Sequence, residues 1–116
     1  MSNSKESKLE ERIQITKEII NMLVSKFSDK RLIESLKNPE ELIEKIPEEG
    51  KFALYSEKVD ELRELLSNEG IEVVSTYPII NCIVIKTTRN KLINLVINEL
   101  VSEFDVIRKV EALEGE

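Results

Sequence analysis

Ile71-Glu72-Val73-Val74-Ser75-Thr76-Tyr77-Pro78-Ile79-Ile80-Asn81-Cys82-Ile83-Val84-Ile85-Lys86-Thr87-Thr88 is the stretch on which the fold turns. Isoleucine, valine and threonine dominate it, and β-branched side chains fit the pleated surface of a sheet. Pro78 has no N–H to donate to a ladder, so the strand that opens at Ile71 must end or bulge there. Asn81 tolerates the left-handed backbone conformation and is the candidate turn residue. The stretch therefore predicts strands over 71–77 and 82–88. The second is the most apolar and is expected at the centre of a sheet.

Working outward, Asn68-Glu69-Gly70 reads as the end of a helix over 57–69, with Gly70 free to take the left-handed conformation after its last turn. Val59, Leu62, Leu65 and Leu66 form one apolar face of that helix, and Ser56 can cap its start. Lys51-Phe52-Ala53-Leu54-Tyr55-Ser56 has the length of a first strand. On the other side, Thr87 or Thr88 can cap a helix over 89–103 that buries Leu92, Val96 and Leu100 with Ile93, Ile97 and Val101. Phe104 leads into a last strand over about 105–113 that carries Val106, Ile107 and Val110. Strand, helix, strand, strand, helix, strand is the order of the ferredoxin-like βαββαβ motif. The expectation is an α+β domain over 51–116, an antiparallel sheet with two helices on one face. Its other face is left to solvent or to a partner.

Residues 1–50 read as a separate helical segment, with 1–8 a disordered lead-in. From Leu9 the apolar positions Leu9, Ile13, Ile20, Leu23 and Phe27, with Thr16 completing the alternation, keep one stripe on one side of a helix. Two readings stay open: this helix packs on its own domain, or it is a homodimer seam of coiled-coil type through those five apolar residues. Ser28-Asp29 can start a short helix with Leu32, Ile33 and Leu36. Asn38-Pro39-Glu40-Glu41 then looks like an N-cap, a first-turn proline and a capping box for a helix that carries Leu42, Ile43 and Ile46. The acidic link Pro47-Glu48-Glu49-Gly50 is the expected boundary between the two parts.

Composition narrows the function. The chain has 116 residues, 41% of them hydrophobic and only 4% aromatic, so its core is aliphatic. Many Lys and Glu beside one Gln fit a protein from a hot environment, although a biased genome gives the same result. The net charge is −6. No run of Lys and Arg offers phosphates the basic surface that nucleic-acid binding needs, so no nucleic-acid partner is expected. No apolar stretch resembles a signal peptide or a membrane span, and Cys82 stands alone, as suits a reducing cytoplasm. With no histidine, Ser–His and Cys–His nucleophilic pairs are impossible. Cys82 lacks companions for a zinc site and reads as a core filler. No glycine-rich phosphate loop is present. The expectation is a binding protein with no enzymatic activity, no metal and no cofactor.

Several features of the second part are similar to those of the propeptide domain of subtilisin-type proteases and its free-standing inhibitor relatives. They are Val59-Asp60-Glu61-Leu62, Gly70-Ile71-Glu72-Val73-Val74, Tyr77-Pro78-Ile79-Ile80-Asn81, and the closing Phe104-Asp105-Val106-Ile107-Arg108-Lys109-Val110-Glu111. The resemblance implies an inhibitor or folding chaperone that docks its open sheet face on two surface helices of a subtilisin-like protease. It also implies that the tail Leu113-Glu114-Gly115-Glu116 lies along the substrate cleft. Glu116 then occupies the pocket before the scissile position, Gly115 fits beneath it, and Leu113 fills an apolar pocket. Glu111 matches a family position that faces the N-termini of the protease helices, where negative charge is favoured. Cys82 stands where family members commonly have glycine, and residues 1–50 have no family counterpart. The competing expectation is a cytoplasmic adaptor that self-associates through its N-terminal helices.

Overall fold

In a computed structural model the described residues are 15–107. They form an α+β domain built on one four-stranded antiparallel sheet. Among the described residues three helices come first: α1 Lys17–Lys26, α2 Lys30–Ser35 and α3 Glu41–Lys45. Then follow β1 Glu49–Tyr55, α4 Val59–Asn68, β2 Glu72–Tyr77, β3 Cys82–Thr88, α5 Arg89–Val96 and β4 Glu103–Ile107. The sheet order is β2-β3-β1-β4.

The local signals of the hairpin act as read. Pro78 opens a single 3-10 turn over Pro78–Ile80, and Asn81 closes it in the left-handed region at φ 58°. Gly70, at φ +70°, takes the left-handed position after α4. At the start of α5, Thr88 rather than Thr87 is the cap, and its Oγ1 accepts from Lys91 N at 3.3 Å. Ser56 does not cap α4 directly. It is buried in the turn before the helix, where its Oγ accepts from Lys58 N at 2.9 Å.

Other expectations need correction. Thr16 is not part of a continuous apolar stripe from Leu9 to Phe27. It has extended backbone angles, and its Oγ1 accepts from Ile19 N at 3.2 Å, so it is the N-cap of a helix that starts at Lys17. α3 starts later than its sequence signal. Its cap position is Glu40, with no side-chain cap, while Glu41 Oε1 accepts from Lys37 N at 3.1 Å. The second long helix stops at Val96, not near 103. Asn98 Oδ1 accepts from Leu100 N at 2.8 Å, a local side-chain turn that competes with helix continuation. Ser102 N then donates to Tyr55 O at 2.8 Å, which starts the return into the sheet. The last strand begins at Glu103, and the portion expected over 108–113 lies outside the described residues.

One core joins the parts. Phe52, Leu54, Ile83, Ile85 and Phe104 point from the sheet into a cluster with Leu62 and Leu66 of α4 and Leu92 and Val96 of α5. Leu23, Phe27, Leu42 and Ile46, from the N-terminal helices and their caps, belong to the same cluster. Phe27 makes a parallel bridge to Phe104, their rings lie 5.1 Å apart, and Ser28 N donates to Phe104 O at 2.9 Å. The link at 47–50 is tightly held. Arg89 N donates to Glu48 O at 2.9 Å, Arg89 Nε to Ile46 O at 2.8 Å, and a Cβ on Gly50 would meet Pro47 Cγ at 3.3 Å.

Lys26 closes the far end of α5. Its Nζ donates to Val96 O at 2.7 Å and Asn98 O at 3.2 Å, where a cation also complements the helix dipole. Burial lowers the Lys26 pKa, and the Glu99 carboxylate opposes that shift. Lys26→Met keeps the side-chain stem and removes both bonds. Its expected cost, read from urea unfolding, is about 1–3 kcal/mol.

Candidate functional site

Side chains alternate along each strand, so the register sorts the residues of the second sheet face into three cross-strand rows. The first runs Glu72, Lys86, Lys51, Ile107. The central row is Ser75, Val84, Ala53, Asp105. The third is Tyr77, Cys82, Tyr55, Glu103. None of these side chains belongs to the core cluster, which draws on the alternate positions. The centre is small and weakly polar, the two tyrosines lie at one end, and charges stand at the margins. Glu103 and Asp105 make the β4 margin acidic.

Tyr55 and Cys82 are partners across β1 and β3, and the Tyr55 hydroxyl hydrogen-bonds the Cys82 sulfur. Cys82 is only 4% exposed. Burial raises the thiol pKa, and the Tyr55 bond partly opposes it. Burial also raises the Tyr55 phenol, with further contributions from Cys82, Asp105 and Glu103. Both groups therefore keep protons that the unfolded chain gives up. Their stabilisation is intact below the ordinary thiol value of 9.0 and is lost as pH rises through the raised folded values. Thermal stability is expected to fall above that value. At pH 8 a thiol reagent should label Cys82 through opening of the fold, orders of magnitude faster in urea than in buffer. Equal rates would contradict this placement.

Beside this face, the β2–β3 hairpin presents an apolar tip. Ile79 is 95% exposed, and Tyr77 and Ile80 are also exposed. The sequence reading takes Tyr77-Pro78-Ile79-Ile80-Asn81 as a turn and a point of family resemblance, not as an exposed apolar tip, and it does not single out the three rows. The available signal was the absence of any charged residue from Val73 to Ile85 in a chain that is 34% charged.

The residues singled out from sequence fall into two groups. Glu111, Leu113, Glu114, Gly115 and Glu116 lie outside the described residues, as do Leu9 and Ile13. Ile20, Leu23 and Phe27 are buried within the chain itself, and Leu23 and Phe27 are part of its core. They are not available to a seam between copies unless the domain opens.

A cleft of about 630 Å³ lies between the turn after β1 and the link from α5 to β4, lined by Ser56, Lys58, Glu61 and Leu100 among others. Among the described residues no buried side-chain polar atom lacks a hydrogen-bond partner, and no group of three or more Cys, Asp or Glu could hold a metal ion. No helix among them is long and apolar enough to cross a membrane. No family model, curated protein or solved structure matches this chain.

Proposed function

We propose that this chain is a non-enzymatic, cytoplasmic protein-binding domain of the ferredoxin-like βαββαβ type. It resembles subtilisin propeptides and acts as an inhibitor or folding chaperone of a subtilisin-like serine protease. The observation that carries this reading is the sheet face built from the three rows. A small, weakly polar centre with tyrosines and a charged margin has the anatomy of a protein interface, where charge is depleted at the core and kept at the rim. The sheet order β2-β3-β1-β4 supports the topological part of the proposal.

In this reading the face docks on two helices of the protease. Asp105 and Glu103 lie toward helix N-termini, which favour negative charge, and Leu113–Glu116 enter the substrate cleft. The adaptor alternative has less support, because Ile20, Leu23 and Phe27 are committed to the chain's own interior. The test is titration of the full chain, and of a version lacking residues 113–116, against a purified subtilisin-like protease. Inhibition in the nanomolar to micromolar range that is lost with the tail is expected. Degradation of the chain without inhibition would overturn the proposal.

A further inference from the structure

The two outer edges of the sheet differ. The β4 edge is partly covered by Phe27 and Ser28 through the bridge and bond to Phe104. The β2 edge has no pairing partner among the described residues. Soluble proteins usually protect such an edge with charge, proline or a short strand, because its free N–H and C=O groups are a template for another strand. Here β2 is six residues long, carries Glu72 as its one charged residue, and has Pro78 only after its end. Five of the eight exposed large apolar residues among those described, Val73, Val74, Tyr77, Ile79 and Ile80, lie on this strand and its tip.

We propose that the β2 edge is a homodimer interface, in which a second copy pairs antiparallel across a two-fold axis near Thr76 and the two sheets become continuous. A second copy fits because both the charge and the apolar surface of this edge are self-complementary. With the axis near Thr76, the Tyr77–Ile80 end of one copy lies against the Val73–Val74 end of the other, so the exposed apolar residues cover each other. A chain of net charge −6 ordinarily repels itself, but residues 73–85 carry no charge at all. Glu72 and its symmetry mate stand about 27 Å apart at the usual strand rise, well beyond the roughly 8 Å screening length of physiological salt. Glu72, the bulge at Val74 and Pro78 resist pairing only at the ends of the strand, on either side of the axis once both copies are counted, and they leave the run Ser75–Tyr77 regular. A contact confined to one strand and one tip belongs with the small interfaces, below the roughly 800 Å² per partner of standard complexes, so weak, concentration-dependent association is expected.

The experiment is sedimentation equilibrium of the full chain from about 1 μM to 1 mM, compared with Val74→Asp, Ile79→Asp and, on the exposed side of α1, Met22→Asp. Val74, Ile79 and Met22 are all exposed, so the variants keep the core, which thermal melts verify. The expected result is a reversible monomer–dimer equilibrium that Val74→Asp and Ile79→Asp each weaken at least tenfold and Met22→Asp leaves unchanged. A chain that stays monomeric at 1 mM, or a dimer that only Met22→Asp disrupts, would overturn the proposal. A monomer whose Val74→Asp variant loses binding to a subtilisin-like protease would overturn it too, and would assign this edge to the protease.

Discussion

A fragment that begins at Lys51 will not fold cooperatively. The sequence places a boundary at 47–50, yet the fragment would lose Leu23, Phe27, Leu42 and Ile46, all at most 1% exposed and part of the same core as Phe52 and Phe104. Truncating one such side chain costs about 2–5 kcal/mol. Losing four together exceeds much of the 5–15 kcal/mol that stabilises a typical domain. The fragment also leaves Arg89 without the Ile46 and Glu48 carbonyls that hold the start of α5. Thermal melts followed by circular dichroism should show a cooperative transition for the full chain and a broad, featureless one for the fragment. A fragment that melts cooperatively near the full chain's midpoint would show that the N-terminal helices are an appendage.

The second large effect centres on one aromatic pair. Phe27 and Phe104 are buried, their rings tilt at 58° with centroids 5.1 Å apart, and the chain bridges between them. Phe104→Ala should cost about 3–5 kcal/mol, and Phe27→Ala a similar amount. The two should not add, because each ring loses its partner in either variant, and an aromatic pair contributes about 0.5–1.5 kcal/mol beyond its buried area. Denaturant unfolding of both single variants and the double variant measures that coupling. Strict additivity would mean that the contact is incidental and that each ring contributes only by burial.

The accuracy of the sequence reading followed how local each signal was. Asn81 in the left-handed region, Gly70 after α4, the proline stop at 78 and the strand over Cys82–Thr88 depend on backbone preferences of single residues or short runs, and the structure places them as read. The α+β class and the antiparallel sheet followed from them. Signals that depended on competition between neighbours were less legible. Thr16 fits a helical stripe by spacing, but its hydroxyl satisfies an N–H better at the helix start. Asn98 sits inside an apolar pattern that would carry a helix onward, yet its side chain closes a turn on Leu100. Long-range packing was the least legible. Nothing in the spacing of Leu23 and Phe27 distinguishes a surface that meets another copy from one that meets Phe104, seventy-seven residues beyond Phe27. The candidate face had the same difficulty. Its rows become visible only when the register brings Tyr77, Cys82 and Tyr55 side by side.

The proposed function places a subtilisin-like protease on the three-row sheet face. Val84 is the place to test it, because it sits in the central row between Ser75 and Ala53 while its neighbours Ile83 and Ile85 face the core. Val84→Glu should leave the fold intact and place an unpaired carboxylate in the middle of the proposed docking surface. The decisive measurement is the inhibition constant of the full chain and of Val84→Glu against the same purified protease. Inhibition by the full chain is expected, weakened about thirtyfold or more in the variant, as a cost of roughly 2–5 kcal/mol for an unpaired interfacial charge implies. Equal inhibition by the two, or none by either, would contradict it.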